Sequence, residues 1–411
     1  DEVATAVRLC HAHRLPMVPQ GGLTGLAGGA TPRAGAVAIS LTRLAAIEAV
    51  DATAGTLTVQ AGATLQQVQE AIAPHGLVFG VDLAPRGTCQ IGGMLSANAG
   101  GLGVIQYGTM RAQVLGLEVV LADGTVLPML RPLYKNNTGY DLAQLFVGAE
   151  GTLGIITRAV LRLHPAPRAR ATAWVALPDY AAAGRLLARL KAAFPAALAA
   201  FELMWDDFVQ AARIATGQTP PLASGSLAAV IDVSGADASE LEDALGRTLA
   251  DAIEAGDVHD AVLAQSGRQA QALWRLRESV AEIFSRRRPL NFDIGLPIAR
   301  IGAFVDDTRA ALAARWPGVD ALFFGHIGDG NVHIIIDLDT LPAGTPAEAA
   351  DALVYARVAD CGGSVSAEHG IGTLKRPWLA ASRTAEELAA MRAIKAALDP
   401  LGLMNPGKIF G

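Results

Sequence analysis

The chain of 411 residues is longer than one hydrophobic core usually supports, so two domains are expected. Its net charge of −6, with Lys and Arg scattered, excludes the basic footprint of a nucleic-acid or anionic membrane binder. Every apolar run is interrupted before about 18 residues, so we expect no transmembrane segment. Three cysteines at no metal spacing favour a reducing compartment, and the charged amphipathic start differs from a signal peptide, so we expect a cytoplasmic protein.

The first 160 residues alternate short β-rich runs with helical periods, which predicts a mixed α and β domain. The β-rich runs are PMVPQ, AVAISL, TLTVQAG, LGLEVVLADGTVL and LGIITRAVLRL, and a helix is predicted over TLQQVQEAIAPHG. Glycine clusters at 21–29, 92–103 and 148–154 lie between apolar runs. Close approach of the backbone to a ligand is one reason for so many glycines.

Longer Ala-rich helices appear between residues 165 and 365, which predicts a second α+β domain. The predicted helices are YAAAGRLLARLKAAF, ASELEDALGRTLADAIEAG and GRQAQALWRLRESVAEIFSRRR, and the predicted strands are SLAAVIDVSG, LNFDIGLP and NVHIIIDL. From about residue 370, an Ala/Leu-rich helix ends in LDPLGLMNPGKIF, where Pro and Gly stop it.

The first motif is PQGGLTGLAGG, residues 19–29, whose backbone N–H groups could surround an anion such as a pyrophosphate. The run lacks both the G-x-G-x-x-G order of a dinucleotide fold and the Gly-Lys-Ser/Thr end of a P-loop. The segments IGGMLSANAGGLG and GAEGTLGII repeat the use of small residues, which favours a ligand site over a glycine-rich surface turn.

The second motif is FFGHIGDGNVHIIID, in which turn-forming residues 328–331 lie between β-branched and aromatic residues. This pattern predicts a hairpin with a four-residue loop, in which His326 faces His333 directly. Opposed residues have Cβ atoms about 4.5–5.5 Å apart, so the two imidazoles could share one metal ion. Two satisfied strand histidines are the alternative.

The third motif is SAEHGIGTLKR, in which Glu368 offers a hard oxygen ligand and His369 an ionisable neighbour. Two histidines and a glutamate form a known catalytic zinc set with one open position. Spacing alone does not place Glu368 near the hairpin, and a helix-capping carboxylate beside a surface histidine is the alternative.

Together these motifs resemble the FAD-linked oxidases of the vanillyl-alcohol-oxidase and p-cresol-methylhydroxylase type, in the D-lactate and D-2-hydroxyglutarate dehydrogenase branch. The resemblance runs along nearly the whole chain. Its carrying segments are PQGGLTGLAGG, FGVDLAPRGTCQIGGMLSANAGG, YGTMRAQVLGLEVVLADG, KNNTGYDLAQLFVGAEGTLGIIT, LWRLRES, NFDIGLP, GHIGDGNVH, SAEHGIGTLKR and MNPGKIF.

The resemblance implies an α+β fold with a two-subdomain FAD-binding domain, an inserted cap domain with an antiparallel sheet, and a C-terminal tail that returns to the flavin. Residues 1–163 are then the FAD-binding domain, expected to lack its first segment. Residues 164–370 are the cap and substrate domain with the metal site, and residues 371–411 pack on the FAD domain.

The resemblance also assigns a set of residues to FAD. A histidine that attaches FAD covalently is often found where Leu23 stands here, so non-covalent binding is implied. The implied cofactor-binding residues are Pro19, Gly21, Gly22, Leu23, Thr24, Gly25, Pro85, Gly92, Gly93, Ser96, Asn98, Gly100, Gly101, Tyr107, Gly108, Thr109, Gly151, Ile156 and Asn405.

For catalysis, the resemblance implies that His326, His333 and Glu368 bind a divalent metal, with zinc expected first and manganese or iron as alternatives. The metal lowers the pKa of the substrate hydroxyl, His369 takes its proton as general base, and C2 passes hydride to flavin N5. Arg277 resembles the arginine that binds the substrate carboxylate. A helix-surface arginine paired with a nearby glutamate is the alternative reading of this residue.

Three positions depart from family members that act on 2-hydroxyglutarate. Those members tend to carry Lys at Asn291, Thr near Ala281, and Asn at Ile335. The missing cation and polar groups favour a small D-2-hydroxy acid with one carboxylate, such as lactate or 2-hydroxybutyrate, because a buried carboxylate without a cation is costly.

Other readings stay open at this point. They are a D-2-hydroxyglutarate dehydrogenase proper, the FAD subunit of a glycolate-oxidase-like complex, an ether-lipid synthase of the same fold, and a metal-dependent hydrolase. The electron acceptor is unidentified, with quinone, electron-transfer flavoprotein and cytochrome as candidates. NAD is disfavoured because the Rossmann fingerprint is missing. A homodimer is open, since the family contains monomers and dimers.

Overall fold

The computed structural model describes residues 1–222 and 225–410, which fold as two compact units. Unit 1 joins Asp1–Ala166 with a C-terminal segment that begins at Glu368, and unit 2 is Pro167–Ala367. The unit boundaries lie close to the predicted domain boundaries, at Ala166 against 163 and at Ala367 against 370. As a result, Glu368 and His369 fold with unit 1.

The first part of unit 1, residues 1–166, contains nine short strands, several of which coincide with the predicted β-rich runs. They are β1 (Met17–Gln20), β2 (Val37–Ser40), β3 (Ile47–Asp51), β4 (Thr56–Gln60), β5 (Leu77–Val78), β6 (Val114–Val120), β7 (Val126–Met129), β8 (Ile155–Arg162) and β9 (His164–Pro165). Strands β1 and β2 pair in parallel. A second, five-stranded sheet has the order β3-β4-β8-β6-β7 and is antiparallel throughout.

The helices of this part of unit 1 are short. They are α1 (Glu2–Ala12), α2 (Leu65–Ile72), α3 (Ile91–Ala97), α4 (Val104–Tyr107), α5 (Met110–Gln113) and α6 (Ala143–Phe146). Helix α2 begins at a capping box of Thr64 and Gln67 and buries Leu65, Val68 and Ile72 against the sheet. The glycine-rich run IGGMLSA proved to be helix α3, which ends at Asn98 in the left-handed conformation with φ 52°.

Unit 2 contains an antiparallel sheet, as the family fold implies. Its described strands are β10 (Ala169–Leu177), β11 (Leu198–Trp205), β12 (Leu227–Gly235), β13 (Asp260–Leu263), β14 (Pro289–Gly295), β15 (Ala321–His326) and β16 (Asn331–Asp337). They form seven strands in the order β13-β10-β12-β11-β15-β16-β14, and every neighbouring pair is antiparallel. The predicted α+β class with an inserted antiparallel sheet is confirmed.

One predicted helix of unit 2 is two helices in the structure. The helices are α7 (Tyr180–Ala193), α8 (Asp206–Thr216), α9 (Ala238–Glu254), α10 (Gly267–Arg277), α11 (Val280–Phe284), α12 (Ile301–Arg315) and α13 (Ala347–Asp360). The predicted helix over residues 267–288 breaks at Ser279, whose buried hydroxyl donates to Leu276 O at 2.8 Å. Serine competes for backbone groups in this way, which ends α10 just after Arg277.

The C-terminal segment contains α14 (Ala385–Leu398), which begins at a capping box of Thr384 and Glu387. The tail after α14 runs beside β1: Met17 N donates to Leu403 O, and Asn405 N donates to Met17 O, both at 2.7 Å. These bonds attach the end of the chain to the strand that precedes the first glycine-rich loop. No helix among the described residues is long and apolar enough to cross a membrane.

Candidate functional site

A cavity of about 610 Å³ lies among the glycine-rich segments of unit 1. This volume is in the range of about 300–1,000 Å³ that small-molecule sites occupy. The predicted cofactor-binding residues in its wall are Pro19, Gly21, Gly22, Leu23, Thr24, Gly25, Pro85, Gly92, Gly93, Ser96, Gly100, Gly151, Ile156 and Asn405. The structure therefore brings together segments from four parts of the chain.

The other predicted cofactor residues do not line this cavity. Gly101 instead donates its N–H to Glu368 Oε1 at 2.7 Å, and the ring of Tyr107 packs against His164 with centroids 4.5 Å apart. Contact of this second group with FAD stays a prediction. The group consists of Asn98, Gly101, Tyr107, Gly108 and Thr109.

The first glycine-rich loop packs backbone against backbone. A Cβ added to Gly22 would lie 1.8 Å from Thr88 O, a distance that no side chain can adopt without moving the chain. A Cβ at Gly25 in the same loop would have no atom within 4 Å. The shape of the loop therefore depends on Gly22 and much less on Gly25.

This contrast gives a stability prediction for the protein without its cofactor. We expect Gly22→Ala to lower Tm by several degrees, since overpacking costs about 1–3 kcal/mol. Gly25→Ala should leave Tm within about 1 °C, because a surface substitution usually changes stability by about 0.5 kcal/mol or less. Circular dichroism melts of the two variants measure the difference, and equal melting temperatures would show that the loop tolerates a side chain at Gly22.

Two buried amide oxygens in the cavity wall test whether the site fits FAD. Gln90 Oε1 and Asn405 Oδ1 have no hydrogen-bond partner among the described residues. Asn405 is held in place because its Nδ2 donates to Gly29 O at 3.0 Å and to Glu150 O at 2.6 Å. Buried acceptors without a partner are costly, so the site fits a ligand that carries N–H and O–H donors, as the isoalloxazine ring and the ribityl chain do.

Glu150 fixes the loop that follows His369. Its carboxylate accepts the backbone N–H groups of Ile371 and Gly372, both at 2.7 Å. Burial raises the pKa of Glu150, and these two hydrogen bonds lower it without cancelling the rise. Because Glu368 and His369 precede this anchor and line the cavity, the third motif forms part of the cavity wall.

The hairpin of unit 2 differs in register from the prediction. Phe324, and not His326, lies opposite His333. The loop is Ile327–Gly330, because Gly330 N donates to Ile327 O at 3.2 Å and Gly330 has φ 90°, so β16 already begins at Asn331. The predicted direct pairing of the two histidines is therefore wrong, and they are diagonal neighbours.

The diagonal arrangement still brings the two imidazoles together on one face of the sheet. Their ring centroids are 5.4 Å apart, and they present nitrogens within 4.8 Å of each other. Both side chains are buried, His326 at 9% exposed and His333 at 7%. Diagonal neighbours are within reach of aromatic side chains, so the pair is suited to share one metal ion.

A buried carboxylate orients the first histidine. Glu202 on β11 lies opposite His326, and its Oε1 is 2.8 Å from His326 Nδ1. If Nδ1 carries the proton of this bond, Nε2 has the lone pair that a metal needs. Burial would raise the pKa of Glu202, but its contacts with His326 and Arg277 outweigh burial and hold the pKa below its usual value.

A second buried carboxylate lies beside the other histidine. Asp293 on β14 is the cross-strand partner of His333 and is fully buried. It accepts hydrogen bonds from Asn331 Nδ2 at 2.9 Å and from Ser366 Oγ at 3.2 Å. The histidine pair therefore lies between two carboxylates, which is typical of the surroundings of metal-binding histidines.

Arg277 at the end of α10 is buried, which excludes the alternative of a surface arginine. Its Nη2 lies 2.8 Å from Glu202 Oε2, and its guanidinium stacks on Phe324 at 4.8 Å from the ring centroid. Arg277 Nε is buried and has no hydrogen-bond partner among the described residues. A guanidinium carries five donors, so donors remain for a carboxylate ligand.

Sequence reasoning missed Glu150, Glu202 and Asp293. The signal for Glu202 was present, since it is the one charged residue in the run LAAFELMW, all of which is buried. A charge in such a strand is almost always paired. The predicted metal ligands are divided between the units, with both histidines in unit 2 and Glu368 in unit 1, and their joint binding of a metal stays a prediction.

Known proteins resemble this chain along its whole length. Residues 1–129 match the family model "FAD binding domain", and residues 166–409 match "FAD linked oxidases, C-terminal domain". A D-2-hydroxyglutarate dehydrogenase of Xanthomonas citri pv. viticola is 41% identical over 416 residues, which cover 100% of this chain and 87% of the relative. The D-2-hydroxyglutarate dehydrogenase of Stutzerimonas stutzeri is 36% identical, and the match covers 100% of this chain and 89% of the relative. The mitochondrial D-2-hydroxyglutarate dehydrogenase of Bos taurus is 37% identical, and the match covers 100% of this chain and 75% of the relative.

Solved structures agree at the level of the fold. An alkyldihydroxyacetonephosphate synthase matches with a TM-score of 0.73 and 18% identity, over 98% of this chain and 74% of that chain. Such low identity shows a shared fold alone. The family models and the sequence relatives are more specific, and they confirm the resemblance that the motifs indicated. The chain belongs to the FAD-linked oxidases, in the branch of flavin-dependent 2-hydroxy-acid dehydrogenases.

Proposed function

We propose that this protein oxidises a small D-2-hydroxy acid to the 2-oxo acid with non-covalently bound FAD and a divalent metal. One observation carries the proposal. The cavity that is lined by the glycine-rich loops of the FAD-binding domain also has Glu368 and His369 in its wall. The residues proposed as the base and as the metal-binding carboxylate are therefore part of the wall of the cavity that fits the flavin.

Each group has a separate role in the proposed reaction. FAD, when bound, supplies a hydride acceptor at N5, and a divalent metal at His326, His333 and Glu368 supplies a Lewis acid for the substrate hydroxyl, with zinc as the first candidate. His369 takes the hydroxyl proton while C2 loses a hydride. The two electrons therefore leave with the C2 hydrogen, and the hydroxyl proton stays on His369. Arg277 binds the substrate carboxylate through the guanidinium donors that Glu202 does not use.

The sheet face that carries His333 favours a short substrate. Ile335, two residues after His333, is fully buried against Leu322 and Phe324 and offers no polar group. Asn291 lies opposite Ile335 and carries no charge. A second carboxylate of 2-hydroxyglutarate would therefore lack a cation at this position.

We therefore expect the purified protein to prefer D-lactate and D-2-hydroxybutyrate over D-2-hydroxyglutarate. The value of kcat/KM should differ by about tenfold or more, since an unpaired buried charge costs at least about 1–3 kcal/mol. Dye-coupled turnover of the three D-acids and of L-lactate measures this preference. D-2-Hydroxyglutarate is the alternative substrate, because the relatives at 36–41% identity carry its name, and comparable turnover of the two classes would favour it.

A single substitution tests whether the missing cation at position 291 sets the substrate preference. Asn291→Lys places a cation beside Ile335, and we expect it to raise kcat/KM for D-2-hydroxyglutarate by about tenfold while that for D-lactate rises little. Asn291 is half-buried, so the longer side chain has room to move. Equal changes for both substrates would argue against a specificity role for this position.

Chelation tests the metal. Dialysis against a chelator should abolish dye-coupled turnover of D-lactate, and added zinc or manganese should restore it. Full activity in metal-free protein would overturn this part of the proposal. The electron acceptor, cytoplasmic location and a homodimer stay predictions from the sequence.

A further inference from the structure

A buried carboxylate that the motifs did not reveal contacts two of the proposed functional residues. Glu202 is 1% exposed and lies in the middle of β11, between the strands β12 and β15. Its Oε1 is hydrogen-bonded to His326 Nδ1, and its Oε2 forms an ion pair with Arg277 Nη2, both at 2.8 Å. One rigid strand position therefore contacts a proposed metal ligand and the proposed substrate-binding arginine.

We propose that Glu202 is a positioning residue that aligns the metal ligand His326 and the substrate-binding Arg277 as one unit. This inference rests on the proposed function, because it assigns a purpose to contacts with residues of that site. It adds a residue that neither touches the substrate nor binds the metal.

The two contacts constrain different things. The hydrogen bond from His326 Nδ1 fixes the imidazole ring and its tautomer, so that Nε2 would offer its lone pair to a metal. The ion pair with Arg277 fixes one edge of the guanidinium, whose plane is also held by the Phe324 ring. Phe324 in turn lies opposite His333, with ring centroids 5.0 Å apart. The side chain of Glu202 therefore holds the proposed metal ligand His326 and the proposed substrate-binding Arg277 at a set separation.

A structural ion pair is the competing explanation, and unit 2 contains a matched control for it. Asp207 pairs with Arg309, whose guanidinium stacks on Phe323 at 4.4 Å from the ring centroid. Successive side chains of a strand point to opposite faces, so Phe323 points away from the face that carries the histidines. Asp207 and Arg309, which pair with each other beside Phe323, therefore form a control on the other face. Burial raises the pKa of Asp207 despite the nearby Arg309 and the hydrogen bonds that lower it.

The experiment compares Glu202→Gln, Glu202→Leu and Asp207→Asn in the FAD-loaded protein. Zinc affinity is measured by competition with a chelator, KM and kcat are measured with D-lactate, and Tm reports folding. Gln keeps an acceptor for His326 Nδ1 but places an amide NH₂ against Arg277, and Leu removes both contacts.

A positioning role predicts a pattern that loss of stability does not produce. Glu202→Leu should weaken zinc binding by about 10- to 100-fold, as loss of outer-shell partners does. Glu202→Gln should weaken zinc binding by less than that but raise KM for D-lactate about tenfold, because the amide removes the charge that aligns Arg277. Asp207→Asn should lower Tm and leave both zinc affinity and KM unchanged.

The outcomes separate the inference from the function on which it rests. If wild-type protein binds zinc but both Glu202 variants retain its affinity and KM, or if Asp207→Asn shifts them equally, Glu202 is a structural residue and the inference is overturned. Wild-type protein that binds no metal would overturn the metal part of the proposed function, and the inference with it.

Discussion

Replacing His369 with Gln should lower kcat for D-lactate by about 10²- to 10⁴-fold, the usual contribution of a general base. KM should change little, because substrate binding is assigned to Arg277 and the metal. FAD content should match that of the wild type, since the cavity has many other wall residues. Steady-state kinetics with a dye acceptor and the flavin absorbance of the purified variant measure these quantities.

His75 provides the control for this substitution. It is exposed, ends the short 3-10 helix Ala73–His75 after α2 and is also in unit 1. His75→Gln should leave kcat unchanged, and an undiminished kcat in His369→Gln would remove this histidine from the mechanism. Loss of FAD from His369→Gln would instead indicate a role in building the cavity.

Replacing His333 with Ala should abolish stable metal binding. The variant loses one of three proposed protein ligands, so its metal affinity should fall by more than the roughly 10- to 100-fold that accompanies loss of an outer partner. After dialysis, we expect the variant to contain less than one metal ion per chain. It should still bind FAD but should no longer turn over D-lactate. Elemental analysis and flavin absorbance measure the two contents separately.

The exposed His259 is a suitable control in the same unit. His259→Ala should retain metal and activity. A His333→Ala protein that keeps both a full complement of metal and wild-type turnover would show that the buried pair of histidines has a structural role only.

The fold and the cofactor could be inferred from the sequence because their signals are local. The run TLTVQ alternates as a strand must, and the Thr64 capping box marks the start of α2. The glycine-rich loop 19–25 predicts backbone close to a ligand from composition alone, and the structure places it in the cavity wall. Long family segments then make the assignment specific.

The hairpin register could not be read reliably from the sequence. Four turn-forming residues in a row, 328–331, allow the loop to begin at either Ile327 or Gly328, and a one-step change at both ends moves the cross-strand partner of His333 by two residues. The structure favours the earlier start because Asn331 is held by Asp293 Oδ1 and Ile294 O. These partners lie on β14, which is remote in sequence.

The buried carboxylates Glu202 and Glu150 are missed for a similar reason. Glu202 meets His326 across 124 positions of the chain, and Glu150 meets Gly372 across 222. Neither residue belongs to a local motif with its partner. Burial is the property that marks them, and only the three-dimensional packing shows which groups balance their charge.

Anaerobic mixing of the FAD-loaded protein with D-lactate tests the central claim most directly. We predict that the visible absorption band of the oxidised flavin bleaches with D-lactate, not with L-lactate, and that chelation prevents the bleaching. Protein that binds FAD but is bleached by none of D-lactate, D-2-hydroxybutyrate and D-2-hydroxyglutarate would contradict the account, because hydride transfer to the flavin would then not be its reaction with 2-hydroxy acids.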